Sequence, residues 1–363
     1  MKRVVNFNPG PAALPLAALE RAQRELLDFE GTGMSIMEHS HRAKDYERVH
    51  FEAIALLSEL YALPDGYQVL LMQGGARAQF ALIPLNFLPA GRSADYLVTG
   101  VWARQALAEA KTIGMARAAA STELPDGTFV RVPEPAEIDA DQNAAYLHFC
   151  TNNTVMGTQF HYCPPSPGVP RVADMSSDIL SEPLDVSQFD LIYAGAQKNL
   201  GPSGVTVVIA RKAWLEAGRG DIPQIFQYRE HARENSLLNT APTFAIYMLR
   251  NVLDVMKQAG GLEAVSALNR QKGELVYDML DAQPDFFRTS IEKASRSRMN
   301  VVFRLPTPEL DAKMVAEAKE AGFVGIKGHR IVGGLRVSLY NAIRLEHVEQ
   351  FVSWAKAFAR QNA

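Results

Sequence analysis

The pattern that most constrains this chain is a recurring alternation of short apolar runs, turns and helix-like stretches. Tyr67–Met72 (YQVLLM) leads through Gly74-Gly75 into helical spacing over 78–88, and 95–99 leads through Gly100 into 102–113. Residues 145–150 lead into the polar turn Thr151-Asn152-Asn153-Thr154, 169–173 into Asp174, and 191–194 into Gln197-Lys198; 205–210 is a further apolar run. Runs this short, bounded by turn residues, suit buried strands better than helices. Strands alternating with helices predict βαβ units, and so an α/β fold with a mainly parallel sheet. Strand order does not follow from such a pattern.

A second region opens at Gly260-Gly261. Leu262, Val265, Leu268, Leu275, Val276 and Met279 have helical spacing. Strand-like 300–305, a helix over 308–321, strand-like 335–339 and a final helix over 345–360 follow. This predicts an N-terminal arm (1–15), a large α/β domain (16–260) and a smaller α+β domain (261–363). The Pro- and Gly-rich stretch 8–15 is expected to lie on the surface without forming an element. A chain of 363 residues fits such a two-domain plan.

Composition narrows the partners. The 37 Lys+Arg against 40 Asp+Glu give a net charge of −3, which argues against nucleic acid or anionic membrane as the main partner. No apolar run reaches the roughly 18 residues that suggest a membrane span. Asn6, Asn8, Pro9, Gly10 and Pro11 break any apolar segment after Lys2 and Arg3, so no secretory signal is expected. Two cysteines, Cys150 and Cys163, are too few for a disulfide framework, and a reducing cytoplasm is the expected location.

In open parallel sheets, ligands bind beyond the carboxyl ends of the strands. The residues following the predicted strands are Gly74-Gly75-Ala76-Arg77, Trp102, Thr154, Asp174 and Gln197-Lys198. Together they offer what an aromatic phosphorylated cofactor needs, and pyridoxal 5'-phosphate (PLP) fits best. The glycine turn and helix start at Ala76 can receive a phosphate, or form a plain strand-to-helix turn. Trp102 can stack on a ring or fill core. Asp174 can pair with a protonated pyridine nitrogen or cap a helix before Ser176-Ser177.

Lys198 is the sharpest residue. It follows the apolar run LIYAGA and precedes the loop Asn199 to Gly204. An amine there needs burial or a nearby positive group to act as a nucleophile at neutral pH, which a Schiff-base lysine has; the alternative is an ordinary loop lysine. Off the sheet lie two basic clusters, His39, His41 and Arg42, and Lys327, His329, Arg330 and Arg336. Guanidinium forks bind carboxylate and phosphate bidentately, so the clusters suit a substrate with several negative charges, although solvated patches have the same composition. His148-x-Cys150 and His161-x-Cys163 lack zinc-ligand spacing, and no metal is expected. No phosphate-loop signature follows a strand.

These residues resemble the phosphoserine aminotransferase family, PLP enzymes of the class V aminotransferase group with fold type I. The resemblance runs through Asn6-Phe7, Gly10-Pro11-Ala12, Ser40-His41-Arg42, Tyr193 to Asn199, Asn239-Thr240, Pro242-Thr243-Phe244, Ser297 to Asn300, and Lys327 to Arg330 with Gly333-Gly334. It implies a large domain with a seven-stranded-type sheet and Lys198 as the cofactor-bonding lysine and proton shuttle. It makes Asp174 the partner of the pyridine nitrogen, Trp102 the stacking ring, and Thr154 and Gln197 ligands of the ring hydroxyl region. Ala76 and Arg77 would hold the phosphate, reached from the neighbouring subunit by Asn239 and Thr240, so that a homodimer shares its active sites. Arg336 would hold the substrate α-carboxylate, and His41, Arg42, His329 and Arg330 the distal phosphate or carboxylate. The implied reaction is reversible transamination of 3-phosphohydroxypyruvate with L-glutamate, in serine biosynthesis; the phosphorylated four-carbon oxo acid of vitamin B6 (pyridoxine) synthesis suits the same clusters. Family members often carry a third glycine where Ala76 stands, and position 77 varies among them. The rival enzyme classes are a desulfurase-type lyase, which needs an accessible cysteine, and an alanine–glyoxylate type transaminase; the non-enzyme rival is a fold relative used for binding.

Overall fold

The computed structural model describes residues 3–362; Met1, Lys2 and Ala363 lie outside the described residues. Its centre is a seven-stranded sheet in the order Tyr67–Met72, Thr206–Arg211, Leu191–Gly195, Arg171–Asp174, Leu147–Cys150, Ser93–Val98, Met115–Ser121. Thr206–Arg211 is antiparallel to both neighbours, and the other pairings are parallel. The strands read as continuous apolar runs because both faces are covered. Val69, Leu71, Val207 and Ile209 face one core cluster, while Leu70, Met72, Val208 and Ala210 face another. Helices Lys44–Leu60 and Thr243–Gln258 cover the first face through Val49, Ala53, Leu57, Ile246, Leu249 and Leu253. Helices Gly75–Phe87 and Val101–Ile113 cover the second through Phe80, Ile83, Phe87, Ala106 and Ala110.

Met115–Ser121 (MARAAAS) carries no strand signal, since alanine favours helix. It becomes a strand because it pairs in parallel with Ser93–Val98 and closes that side of the sheet.

A third core cluster gathers Val276, Met279, Phe303, Met314, Val348 and Phe351. It lies among the helices Gly261–Ala282, Pro308–Glu320 and Leu345–Asn362 and the antiparallel pair Asn300–Phe303 and Leu335–Ser338. Val5 and Phe7 belong to it too. Val5–Asn6 forms a parallel bridge with Phe323–Val324, and Phe7 is 0% exposed with its ring edge-on to Phe351 at 5.2 Å. Val5–Asn6 was not expected as an element, because a two-residue strand is too short to produce a period.

Gly261–Ala282 also corrects its expected stripe. Its buried residues are Leu262, Ser266, Asn269, Lys272, Gly273, Val276, Met279 and Leu280, whereas Leu268 faces solvent. The inward face thus contains an amide and an amine that an apolar count overlooks.

Phe7→Ala is expected to lower the unfolding free energy by about 3–5 kcal/mol, the usual range for a buried phenylalanine. Denaturant titration measures it, and an unchanged midpoint would mean that the segment contributes nothing to the fold.

Candidate active site

Because Tyr67–Met72, Leu191–Gly195, Arg171–Asp174, Leu147–Cys150 and Ser93–Val98 run in one direction, their carboxyl ends share one edge of the sheet. The turns that leave this edge hold the residues singled out in the sequence.

Lys198 lies in a turn closed by Leu200 N and Gly201 N, which both donate to the Ala196 carbonyl. Its Nζ donates to Thr154 Oγ1 at 2.7 Å. Arg336 Nη1 donates to the carbonyl oxygen of the same residue at 3.1 Å. Thr154 is 4% and Arg336 5% exposed, so two cations meet on one buried residue. Desolvation is the main cause that pushes the Lys198 pKa below the ordinary lysine value; Asp174 and Cys150 pull it back up, and Arg336 pushes it down. A depressed pKa is what a nucleophilic amine requires. Burial likewise lowers the pKa of Arg336, whose Nε has no hydrogen-bond partner among the described residues. A two-oxygen anion would satisfy such a guanidinium edge.

Asp174 is the last residue of its strand and is buried. One carboxylate oxygen accepts from Ser176 N at 2.9 Å, and its backbone carbonyl accepts from Thr151 N at 3.0 Å. The local turn bond foreseen for an aspartate here is present, but no helix follows it. Asp178 lies behind it, its carboxyl pushed up to about 7 chiefly by burial, and accepts from Thr151 Oγ1 at 2.6 Å.

Trp102 stands in the first turn of its helix, half-buried, and its buried indole N–H has no partner among the described residues. Ala76 and Arg77 occupy the first turn of Gly75–Phe87, where backbone N–H groups are unpaired and favour an anion. Gly74 precedes it at φ 90°, and a Cβ there would come within 2.7 Å of Ala78 Cβ. Arg77 is exposed and its Nη2 donates to Gln105 Oε1 at 3.0 Å, on the neighbouring helix. Asn239 and Thr240 are exposed; the Thr240 carbonyl accepts from Gln73 Nε2 at 2.8 Å, beside the Gly74 turn of the same chain.

The segment read as a surface arm reaches this group. Ala12 N donates to the Gln197 carbonyl at 2.9 Å, and a Cβ on Gly10 would stand 3.3 Å from Lys198 Cγ. Glycine between prolines was the signal, because only a residue without a side chain packs so close to the lysine stem at φ 141°.

The two basic clusters differ. His41 and Arg42 are bonded to each other at 3.3 Å and make no hydrogen bond to the Lys198 group among the described residues. His329 sits in a turn closed by Val332 N and Gly333 N on its carbonyl, and burial, Arg336 and Arg330 lower its pKa. Arg330 is exposed, whereas Arg336 is buried at Thr154, so the expected second cluster divides into a surface part and an interior part. His148 is packed in the sheet, 2.9 Å from Tyr193 Oη, with its pKa pushed down to about 3 by burial.

Sequence spacing did not reveal the polar network that joins the Thr154 segment to the Arg336 strand. Ser297 Oγ donates to Asn152 Oδ1 at 2.5 Å, Asn152 Nδ2 to Asn300 Oδ1 at 2.8 Å, and Asn300 Nδ2 to Ser338 Oγ at 3.0 Å.

In ligand-free protein, Lys198 is expected to react with an amine-directed reagent at pH values below about 10, where surface lysines remain protonated. Mass-spectrometric mapping across that range measures it; reaction only alongside the surface lysines would show that its pKa is not depressed.

The chain and its fold have close counterparts. A family model described as aminotransferase class-V matches residues 4–351. The chain is 51% identical over 358 residues to a phosphoserine aminotransferase of Halalkalibacterium halodurans, covering 99% of each chain. A solved phosphoserine aminotransferase from Bacillus circulans subsp. alkalophilus superposes with a TM-score of 0.97 at 50% identity, covering 100% of each. A PLP-bound phosphoserine aminotransferase from Trichomonas vaginalis gives a TM-score of 0.93 at 37% identity, covering 98% of this chain and 100% of that one. The chain therefore belongs to the class-V aminotransferase family and, within it, to the phosphoserine aminotransferases.

Proposed function

We propose that this chain is a PLP-dependent aminotransferase that carries the amino group of L-glutamate to 3-phosphohydroxypyruvate, reversibly, giving 2-oxoglutarate and O-phospho-L-serine. The observation that carries this reading is the pairing at Thr154. A desolvated amine and a buried guanidinium, whose Nε has no partner among the described residues, both bond Thr154, beyond the carboxyl ends of the parallel strands. The residues fit PLP: an amine of lowered pKa, a carboxylate at a strand end, an indole with an unused N–H and an open helix N-terminus. When bound, PLP supplies an electron sink for the pair released when the substrate Cα–H bond breaks.

On this reading each residue has a task. Lys198 would hold the cofactor, and its Nζ would take up and return the substrate Cα proton. Asp174 would pair with the ring nitrogen, Trp102 would stack on the ring, and Thr154 and Gln197 would bond the ring hydroxyl region. The first-turn N–H groups at Ala76 and Arg77 bind the phosphate, with Asn239 and Thr240 contributed by a second copy of the chain. Arg336 receives the α-carboxylate. His41, Arg42, His329 and Arg330 receive the distal phosphate or the glutamate side-chain carboxylate. Each charge-assisted hydrogen bond contributes about 1.5–3 kcal/mol, so several discriminate against an unphosphorylated oxo acid.

The reading includes a homodimer whose two copies share their active sites. It places the reaction in serine biosynthesis in the cytoplasm; the phosphorylated four-carbon oxo acid of vitamin B6 synthesis suits the same charges. The units 16–260 and 261–363 meet at the site, with Val5 and Phe7 packed on the second. Against a desulfurase stand the thiols: Cys150 is buried with its pKa pushed well up, and burial also raises that of Cys163.

Borohydride reduction of the PLP-loaded protein and peptide mapping are expected to label Lys198; a label elsewhere would sink the assignment. Arg42→Ala and Arg330→Ala are each expected to reduce kcat/KM for 3-phosphohydroxypyruvate about 10- to 150-fold, the loss of one charge-assisted bond. The affinity for PLP should stay unchanged, and equal losses in both would refute the distal-group role. Paired half-reactions with 3-phosphohydroxypyruvate and with pyruvate or glyoxylate separate this activity from an alanine–glyoxylate type transaminase.

A further inference from the structure

Lys272 is 1% exposed, on the inward face of helix Gly261–Ala282, and takes no part in the chemistry above. Its Nζ donates to three backbone carbonyls, those of Leu339 at 2.9 Å, Tyr340 at 3.0 Å and Ile343 at 3.0 Å. No carboxylate pairs with it among the described residues. An ammonium has three N–H donors, and here all three are used on one short loop. A buried charge with no counter-ion is costly unless hydrogen bonds satisfy it, and burial pushes this lysine down to about 7. An apolar side chain would fill the space without that cost, but it would leave the three carbonyls unbonded in the interior.

The loop so gripped, 339–343, touches the site from two directions. It continues directly from strand Leu335–Ser338, which carries Arg336. Its Asn341 N donates to Asn199 Oδ1 at 3.0 Å, on the residue that follows Lys198. Asn269, three residues before Lys272 on the same helix, donates to Asn341 Oδ1 at 2.9 Å and to the Ser181 carbonyl at 2.9 Å. Tyr340 Oη donates to the Pro9 carbonyl at 2.8 Å, next to the Gly10 that packs on Lys198.

We infer that Lys272 is a positioning residue: by holding the carbonyls of Leu339, Tyr340 and Ile343 it sets the Arg336 guanidinium at a fixed place relative to the Lys198 turn, and so fixes the substrate-carboxylate subsite. The proposal rests on Arg336 as the carboxylate ligand. It predicts that breaking the grip harms carboxylate binding beyond any general loss of stability.

The test uses succinate, an unreactive dicarboxylate, titrated calorimetrically into the PLP-loaded protein, with thermal melts alongside. Lys272→Met is expected to weaken succinate binding about tenfold, roughly the loss of one well-made hydrogen bond. Phe358→Leu, in the same core cluster but with its ring packed on Phe286 and Trp354 and not on the loop, is expected to lower the melting temperature while leaving succinate affinity within about twofold, as distant sites act independently. Asn341→Ala breaks the same linkage further along, and the double variant should bind no more weakly than the weaker single one. Succinate affinity unchanged in Lys272→Met, or lost equally in Phe358→Leu at matched stability, would overturn the proposal. Arg336→Ala separates the two readings. If it leaves succinate binding intact, the carboxylate role of Arg336 falls and this inference with it; if only Lys272→Met is silent, the inference alone falls. Should Lys272→Met not fold, Lys272→Gln retains two N–H donors and takes its place, with Asn341→Ala read against the same criterion.

Discussion

Two cations are held on two oxygens of one buried residue: the Lys198 amine on the Thr154 hydroxyl and the Arg336 guanidinium on its carbonyl. In a medium of low dielectric, like charges this close repel, and Arg336 indeed lowers the pKa of Lys198. The arrangement persists because each group comes from a separately packed unit. Lys198 is fixed by the turn after Leu191–Gly195, and Arg336 by a strand packed on the third core cluster. Asp174 supplies a compensating negative charge, while the guanidinium Nε has no partner among the described residues. Charge is thus left over at the sheet edge, and an anion entering there meets donors already in place.

Thr154 owes its position to the polar network around Asn152, Ser297, Asn300 and Ser338. Most of these side chains are fully buried, so each hydrogen bond lost would leave a stranded polar group. Such a network tolerates one geometry and few others, unlike an apolar contact, which can slide. The relative placement of lysine and arginine is therefore set by directional bonds at the junction and by apolar packing elsewhere.

How much of this was legible follows from the range of each force. The sheet strands could be read because burial on both faces imposes continuous apolar runs, and Tyr67–Met72 has the bounds the sequence suggests. Lys198 stood out because a cation directly after such a run has nowhere to go but the strand end. Met115–Ser121 could not be read, because its strand state comes from its neighbour and not from its own alanines. Val5 and Phe7 were hidden because their partners lie more than 300 residues away in sequence. Lys272 and Asn269 were hidden for another reason: hydrophobic periodicity counts a buried lysine as a mistake in the stripe, whereas here three carbonyls make it the natural occupant.

The net charge of −3 obscured a division among the cations that now has a physical rationale. Arg336 is buried and held by a backbone carbonyl, whereas Arg42 and Arg330 are exposed. A reaction that accepts two different acids through one site needs both kinds. The α-carboxylate is common to the two substrates, so its ligand gains from being fixed and desolvated, where each bond is strongest. The distal group is a carboxylate in one substrate and a phosphate in the other, differing in size and in number of oxygens. A rigid guanidinium matched to either would be misplaced for the other, while exposed arginines on short turns can re-aim at small cost. On the proposed reading of these arginines, burial of Arg336 and exposure of Arg42 and Arg330 is the division that use of two different acids favours.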